Sequence, residues 1–288
     1  MIKDLKNHKL SRNFLAEKYG YDTEDIRAFR RILKIQNKPT GKIEGKGLAL
    51  WDYHYPEHDP ACKKIVEEFL IDYQPDYLIL GGDQLDMGCI SIYNKGRVKL
   101  LENKRLYKDY EGFQHDILDY FADHLPRDCK RVFITGNHEY RIDRLLETDP
   151  HFIGLIELEH HLDLDGWEVV PFNGVYTLGS MNFIHGMYWN KFHARKTLEV
   201  FDDNVFYGHV HETQIYSKPT PINNEPKIAH SVGCLCNKNP DYMRDKPNRW
   251  VHEFLSFTVF GNGDFSPHIN RIINGRVEIN GKVYNGRE

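Results

Sequence analysis

The sequence predicts an α/β protein, a layered sandwich of two mixed β-sheets flanked by helices, with a small helical extension at its N-terminus. Three observations carry this. Short apolar runs of β type recur from residue 47 onward, helical stretches separate the early runs, and the later runs follow one another with little helix between them. Alternation followed by mostly strands is the pattern of mixed sheets in layers rather than one parallel sheet. A length of 288 residues suffices for one large domain with an appendage and a sizeable core.

The extension comes first. Leu10, Phe14, Leu15 and Tyr19 have helical spacing, and Gly20 stops that helix. Asp22 and Thr23 are capping residues for a second helix with Ile26, Phe29 and Leu33 on one stripe and Arg30, Arg31 and Lys34 near its end, where the helix dipole favours positive charge. The stretch from Asn37 to Gly47 is rich in Pro, Gly and Lys and reads as a linker. We therefore divide the chain into a basic, helix-turn-helix-like extension with linker over 1–46 and a main domain over 47–288.

In the main domain, strands are predicted at 47–51, 76–82, 131–136, 167–170, 181–186, 204–209, 227–233 and 254–260. Helices are predicted at 61–73, 104–125, 140–147 and 193–201. Near the end, Asn274-Gly275 and Asn280-Gly281 stand between alternating residues, a strong hairpin signal.

Composition narrows the class. Hydrophobic residues at 40% and aromatics at 13% exclude a disordered chain. Net charge is −4, but residues 1–46 carry 12 basic and 6 acidic side chains, leaving the remainder at −10. A basic arm on an acidic body suggests that the two meet different partners. Five cysteines without framework spacing argue against a disulfide scaffold, and Cys234 and Cys236, a lone C-x-C, read as buried thiols because a zinc ribbon needs a second pair. No apolar run approaches membrane length and the N-terminus lacks a signal-peptide core, so no membrane partner and a cytoplasmic location are expected. Sixteen histidines raise the expectation of a metal site.

Five polar clusters each follow an apolar strand: Asp52-Tyr53-His54, Gly81-Gly82-Asp83-Gln84-Leu85-Asp86, Gly136-Asn137-His138-Glu139, His185-Gly186 and Gly208-His209-Val210-His211. Strand ends are where α/β folds gather ligand and catalytic groups. Side chains alternate with period two along an extended chain, so D-x-H sends Asp52 and His54 to the same side, and H-x-H does the same for His209 and His211. Carboxylate, imidazole and amide oxygen together suit a centre of two cations with room for water and substrate.

The ordered set DYH, GGDQLD, GNHE, HG and GHVH resembles the calcineurin-like metallophosphoesterase superfamily, in its phage and bacterial type, over most of residues 47–260. The resemblance implies a phosphoric ester hydrolase with two divalent transition-metal ions, manganese first and nickel, cobalt, zinc or iron as alternatives. Asp52, His54 and His211 would hold one ion, Asn137, His185 and His209 the other, and Asp83 would bridge them. His138 would face the substrate as acid or charge stabiliser, and Asp86 would orient it by a hydrogen bond. The implied reaction is in-line attack on phosphorus by a hydroxide held between the ions.

Met87 stands where the protein phosphatases of that superfamily usually have arginine, which counts against a phosphoprotein substrate. Arg141 and the run containing Lys191, Arg195 and Lys196, beside Tyr188 and Trp189, are the candidate substrate contacts. Each of these basic residues is also the kind that sits on a solvated surface. Tyr53 reads as packing with base stacking as its alternative, and His58, His151, His160, His161, His230 and His252 as surface or core histidines. The basic arm tilts the substrate toward DNA or RNA, making a phosphodiesterase or nuclease the first reading. A helical cap packed through Phe14, Ile26, Phe29 and Leu33 is the other reading of the arm. A small-molecule phosphatase, a cyclic-nucleotide phosphodiesterase, and a nucleic-acid-binding protein using the fold as scaffold are the alternatives for function.

Overall fold

The computed structural model describes residues 12–22, 45–219, 226–240, 243 and 245–287. The second predicted N-terminal helix and the linker lie outside these residues. The first is present as α1 (Arg12–Tyr19). Its Leu15 is fully buried while Phe14 is 48% exposed, so Leu15 rather than Phe14 is its inward residue.

Two mixed sheets form the centre. In the first, β1 (Gly45–Leu50), β2 (Tyr77–Leu80), β3 (Lys130–Ile134) and β4 (Trp167–Val170) run parallel. Beyond β1 the sheet continues with β10 (His252–Val259) and β11 (Phe265–Ile272), each antiparallel to its neighbour. In the second, β6 (Met181–Phe183), β7 (Val205–Tyr207) and β9 (Lys227–Ser231) are parallel, with β5 (Tyr176–Leu178) and β8 (Gln214–Lys218) antiparallel at the edges. A hairpin of β12 (Arg276–Ile279) and β13 (Lys282–Asn285) turns at Asn280-Gly281, as its sequence requires.

The period of two along β1 builds the layers. Leu48 and Leu50 face a core shared with α2 (Pro60–Tyr73), through Ile65 and Phe69. Ala49 and Trp51 face the opposite way, into a core between the sheets with Phe183, Phe206 and Phe257. A third core joins the outer face of the second sheet, through Val205 and Tyr207, to Ala194 and Leu198 of α7 (His193–Phe201). The order is therefore helix, sheet, sheet, helix.

The remaining helices are α3 (Val98–Leu101), α4 (Leu106–Phe113), α5 (Asp119–His124) and α6 (Arg141–Thr148). The single helix predicted over 104–125 is interrupted by a wide turn at Gln114–Leu118 between α4 and α5. α2 starts where the sequence allows it: Asp59 accepts from the N–H groups of Ala61 and Cys62 at 2.9 and 3.0 Å, and Pro60 occupies the first turn. Strands β5, β8 and most of β11 were not foreseen. β8 is an edge strand with no fully buried residue, so it has no apolar run to betray it.

Phe257 is fully buried and packs on Phe183 at a centroid distance of 5.3 Å, beneath Gly47, where a Cβ would overlap its ring. Phe257→Ala is expected to cost about 3–5 kcal/mol, the range for deleting a buried ring. Urea unfolding should show the midpoint fall with the slope preserved; an unmoved midpoint would mean that the layer between the sheets is not what joins them.

Candidate metal centre

The chain does not remain extended where the clusters begin. Asp52, His54, Asp83, His209 and His211 have φ of 53°, 51°, 50°, 71° and 60°. The expectation that Asp52 and His54, or His209 and His211, share a side by strand alternation is thus corrected: they converge because the chain turns left-handed at each of them. Such conformations cost roughly 1–2 kcal/mol per non-glycine residue and persist where surrounding structure enforces them.

The enforcing bonds are visible. Asp52 N–H donates to Gly82 O at 3.1 Å and His54 N–H to Asp83 O at 2.9 Å, so the first two loops lie side by side. The later loops close on the carboxylates: His138 N–H donates to Asp83 Oδ1 at 2.8 Å, and His209 N–H to Asp52 Oδ2 at 2.7 Å. Glycine is needed just before each closure, because a Cβ on Gly136 would overlap Asp83 Oδ1 and one on Gly208 would overlap Asp52 Oδ2.

With one oxygen of each aspartate so occupied, the other points inward. Asp52 Oδ1 is buried without a hydrogen-bond partner and lies 3.2 Å from His211 Nε2 and 3.7 Å from His54 Nε2. Those two nitrogens are themselves 3.2 Å apart. Nearby, His185 Nδ1 lies 3.2 Å from Gly81 O, an acceptor, so Nδ1 carries a proton in either charge state and Nε2 has a lone pair once His185 is neutral. That lone pair faces two more acceptors, Asn137 Oδ1 at 3.0 Å and Asp83 Oδ2 at 3.3 Å. His209 joins this group, its ligand atom within 4.8 Å of those of Asp83 and His185. Asp83 Oδ2 also lies 3.8 Å from His54 Nε2, and so belongs to both groups. Acceptors facing acceptors in a buried space repel unless a cation or a proton lies between them. The donor set thus fits two cations, and all seven predicted ligand residues are brought together.

The charges agree. Burial pushes Asp52, Asp83 and Asp86 up, but neighbouring imidazoles outweigh it: His211 and His54 for Asp52, His138 and His185 for Asp83, His138 and His54 for Asp86. All three carboxyls are held below the usual carboxylate range. Burial lowers His54 and His185 in turn, yet Asp52 and Asp86 hold His54 well above its ordinary value, and Asp83 raises His185 to about 9. Burial and then His185 push His209 down to about 4.

His138 differs from its expected arrangement. Its Nδ1 lies 2.7 Å from the backbone carbonyl of Asp86, and 3.5 Å from the Asp86 carboxylate, which is equally 3.5 Å from His54 Nδ1. The carbonyl, rather than the side chain, sets the His138 tautomer. Arg141 donates to His138 Nε2 at 2.8 Å and to Asp86 O at 2.6 Å. Burial, with His54 and Arg141 adding to it, lowers His138 despite Asp83, so it stands neutral.

Of the four candidate substrate contacts, Arg141 alone has bonds within this cluster. Arg195 pairs with Glu199 at 2.8 Å, Lys196 lies over the Tyr188 ring, and Lys191 lies over Phe192. Tyr53 and Met87 are core residues. Cys234 and Cys236 are buried, and their segment backs the site, with Leu235 N–H donating to Asp52 O at 3.1 Å.

Three participants escaped sequence reasoning. Glu139 is buried and accepts from the N–H groups of Gly136, Asp83 and Leu85 at 2.7, 3.0 and 2.9 Å, tying the second loop to the third. Its place in GNHE was the available signal. Trp250 packs edge-on against His211 at 4.3 Å, and Cys236 Sγ lies 3.8 Å from His211 Nδ1. Trp250 stands in no motif, and the C-x-C that holds Cys236 reads only as a pair of buried thiols, so nothing in the sequence places either beside His211.

No family model matches the chain. Its sequence is similar to the gene 54 proteins of Mycobacterium phages L5 and D29, at 24% and 26% identity over 252 residues, 82% of this chain and 97% of each relative. Similar solved structures include a conserved uncharacterized protein from Streptococcus pneumoniae TIGR4, titled a predicted phosphoesterase, at 12% identity over 79% of this chain and 98% of that one, with a TM-score of 0.30. Another is vacuolar protein sorting 29 from Cryptosporidium parvum, at 11% identity over 84% and 98%, with a TM-score of 0.36.

Two outcomes follow from the centre. A raised His185, protonated below about 9, must lose its proton to ligate, so binding of Mn²⁺ at pH 7 should release protons and tighten as pH rises toward 9. Calorimetry in buffers of different ionisation enthalpy reads this directly, and proton-neutral binding would contradict it. Glu139→Gln replaces one acceptor with a donor facing backbone N–H groups, and should cost about 1–3 kcal/mol of stability while weakening Mn²⁺ uptake. An unchanged melting temperature and metal affinity would remove Glu139 from the scaffold.

Proposed function

We propose that this chain is a metal-dependent phosphoric ester hydrolase with two divalent transition-metal ions, manganese foremost, acting on phosphodiesters of DNA or RNA. One observation carries the reading: Asp83 Oδ2 is common to two acceptor groups, 3.3 Å from His185 Nε2 on one side and 3.8 Å from His54 Nε2 on the other. Asp52, His54 and His211 would hold one ion, Asn137, His185 and His209 the second, and Asp83 both. Bound there, the ions supply Lewis-acid charge for the phosphoryl oxygens and a nucleophilic water at neutral pH. The motif order and its resemblance to the calcineurin-like superfamily support the same reading.

The chain's own groups then divide the work. Asp52 and Asp83 each keep one oxygen on a backbone N–H, which aims the other inward without further ordering. Arg141 lines the same cavity as Asn137, where its guanidinium can meet a phosphoryl oxygen. His138, neutral and accepting from Arg141, aligns that guanidinium; it holds no proton on Nε2 to give to a leaving group in this arrangement. The preference for nucleic acid rests on the net charge of +6 over residues 1–46, on a chain whose remainder is acidic in sum.

The deciding experiment is a screen of Mn²⁺, Ni²⁺, Co²⁺, Zn²⁺ and Mg²⁺ against an aryl monoester, an aryl diester, and single- and double-stranded DNA and RNA. Diester and nucleic-acid turnover is expected with Mn²⁺; turnover of the monoester alone would move the substrate to small molecules, and no turnover with any metal would refute the enzyme. Asp83→Asn should abolish turnover. His138→Ala and Arg141→Ala should each lower kcat by about 10²–10³, the range for losing one positioned donor, with metals retained and the double variant losing little more than either single one. Additive losses in that cycle would separate the two residues.

A further inference from the structure

A cavity of about 440 Å³ opens beside the centre and shares Asn137 and Arg141 with it. From there it follows one face of α6, lined by Arg141, Arg144, Leu145 and Thr148, the i, i+3, i+4, i+7 stripe of that helix. Its lining contains no carboxylate. The other face of α6, with Ile142 and Asp143, borders a separate cavity of about 700 Å³ whose walls carry six carboxylates. One helix therefore sorts charge, and an anion leaving the centre meets attraction on one side and repulsion on the other.

Within the 440 Å³ cavity, Arg141 is tied to Asp86 O and His138 Nε2. Arg144, one turn along, is exposed and makes no ion pair among the described residues. The same cavity is lined by Tyr93, 79% exposed on the turn Ile92–Asn94. Phe172 forms part of the wall, stacked on Tyr140 at 4.8 Å. An uncommitted guanidinium and an exposed aromatic ring lining one cavity match a phosphate joined to a flat base. The volume suits one such unit, and a base already paired and stacked in a duplex could not offer its face to Tyr93.

We infer that this cavity binds the nucleotide adjoining the scissile phosphodiester of a single-stranded nucleic acid, with Arg144 on its phosphate and Tyr93 stacked on its base. The inference rests on the phosphodiesterase reading above, whose substrate it narrows. The test compares the whole chain with Arg144→Gln and Tyr93→Ala, in Mn²⁺. It reads steady-state hydrolysis of an aryl diester, of a single-stranded DNA hexamer and of the same hexamer as a duplex, with fluorescence anisotropy for hexamer binding.

Arg144→Gln should lower kcat/KM for the hexamer at least tenfold more than for the aryl diester. It should also flatten the slope of log affinity against log salt by about 0.7, the value for one single-strand phosphate contact. Tyr93→Ala should weaken hexamer binding about 5- to 150-fold, the span for one lost stacking partner, with the salt slope kept. The duplex should be the poorer substrate. Equal losses on hexamer and aryl diester, a preference for the duplex, or wild-type hexamer affinity in both variants would each overturn the inference. If no metal supports aryl-diester hydrolysis yet hexamer binding still depends on Arg144 and Tyr93, the enzymatic reading fails and the cavity's assignment stands. If the diester is hydrolysed and hexamer binding ignores both residues, the reverse holds.

Discussion

Everything at the centre depends on two buried aspartates being gripped from behind. Asp52 and Asp83 each give one oxygen to a backbone N–H from a loop far along the chain, His209 for the first and His138 for the second. A carboxylate in water has many partners and no fixed direction. Here burial removes the water, and one charge-assisted bond orients the whole group. The free oxygen then points where the imidazoles of His54, His185 and His211 already converge.

That grip requires backbone to come unusually close to a charged oxygen, which explains why the motifs contain glycine where they do. It also explains the left-handed turns. The strands end, and within one or two residues the chain must reverse its hydrogen-bonding direction to bring both Asp52 and His54, or His209 and His211, to the same point. Five non-glycine residues in left-handed conformation represent stored strain, held by the contacts between loops. Glu139 is the main clamp, since one buried side chain satisfies three N–H donors from two loops. The sheets supply rigidity behind this, with Trp51 Nε1 donating to Ile184 O across them at 2.9 Å.

Around the centre, α6 joins the buried cluster to the cavity beside it. Its first residue, Arg141, reaches His138 and the Asp86 carbonyl, and the same face continues to Arg144. A position at the cluster and a wall of the adjoining cavity thus share one rigid element.

Much of this was legible in the sequence, for reasons specific to each part. The strands buried on both faces announce themselves as apolar runs, so β1, β2, β3, β7 and β10 were readable, and the N–G turn of the last hairpin has a local cause. The seven ligand candidates were readable because loops after strands hold few Asp, Asn and His residues by chance in that order. Edge strand β8 was not, because burial writes the pattern and an edge is not buried. Nor was the route by which Asp52 and His54 meet, since positive φ leaves no mark on an Asp or a His. The partner of His138 is an arginine three residues on and a carbonyl from another loop; proximity in sequence suggested neither bond. Trp250 at His211, and Tyr93 and Arg144 around one cavity, come together only when separate loops and a helix pack. The sequence by itself determined the chemical inventory and the layers that carry it, because hydrophobic period and residue type are local properties. Direction, pairing and the sorting of charge across α6 were decided by the tertiary structure, because each depends on which distant backbone group fills the space left when water is excluded.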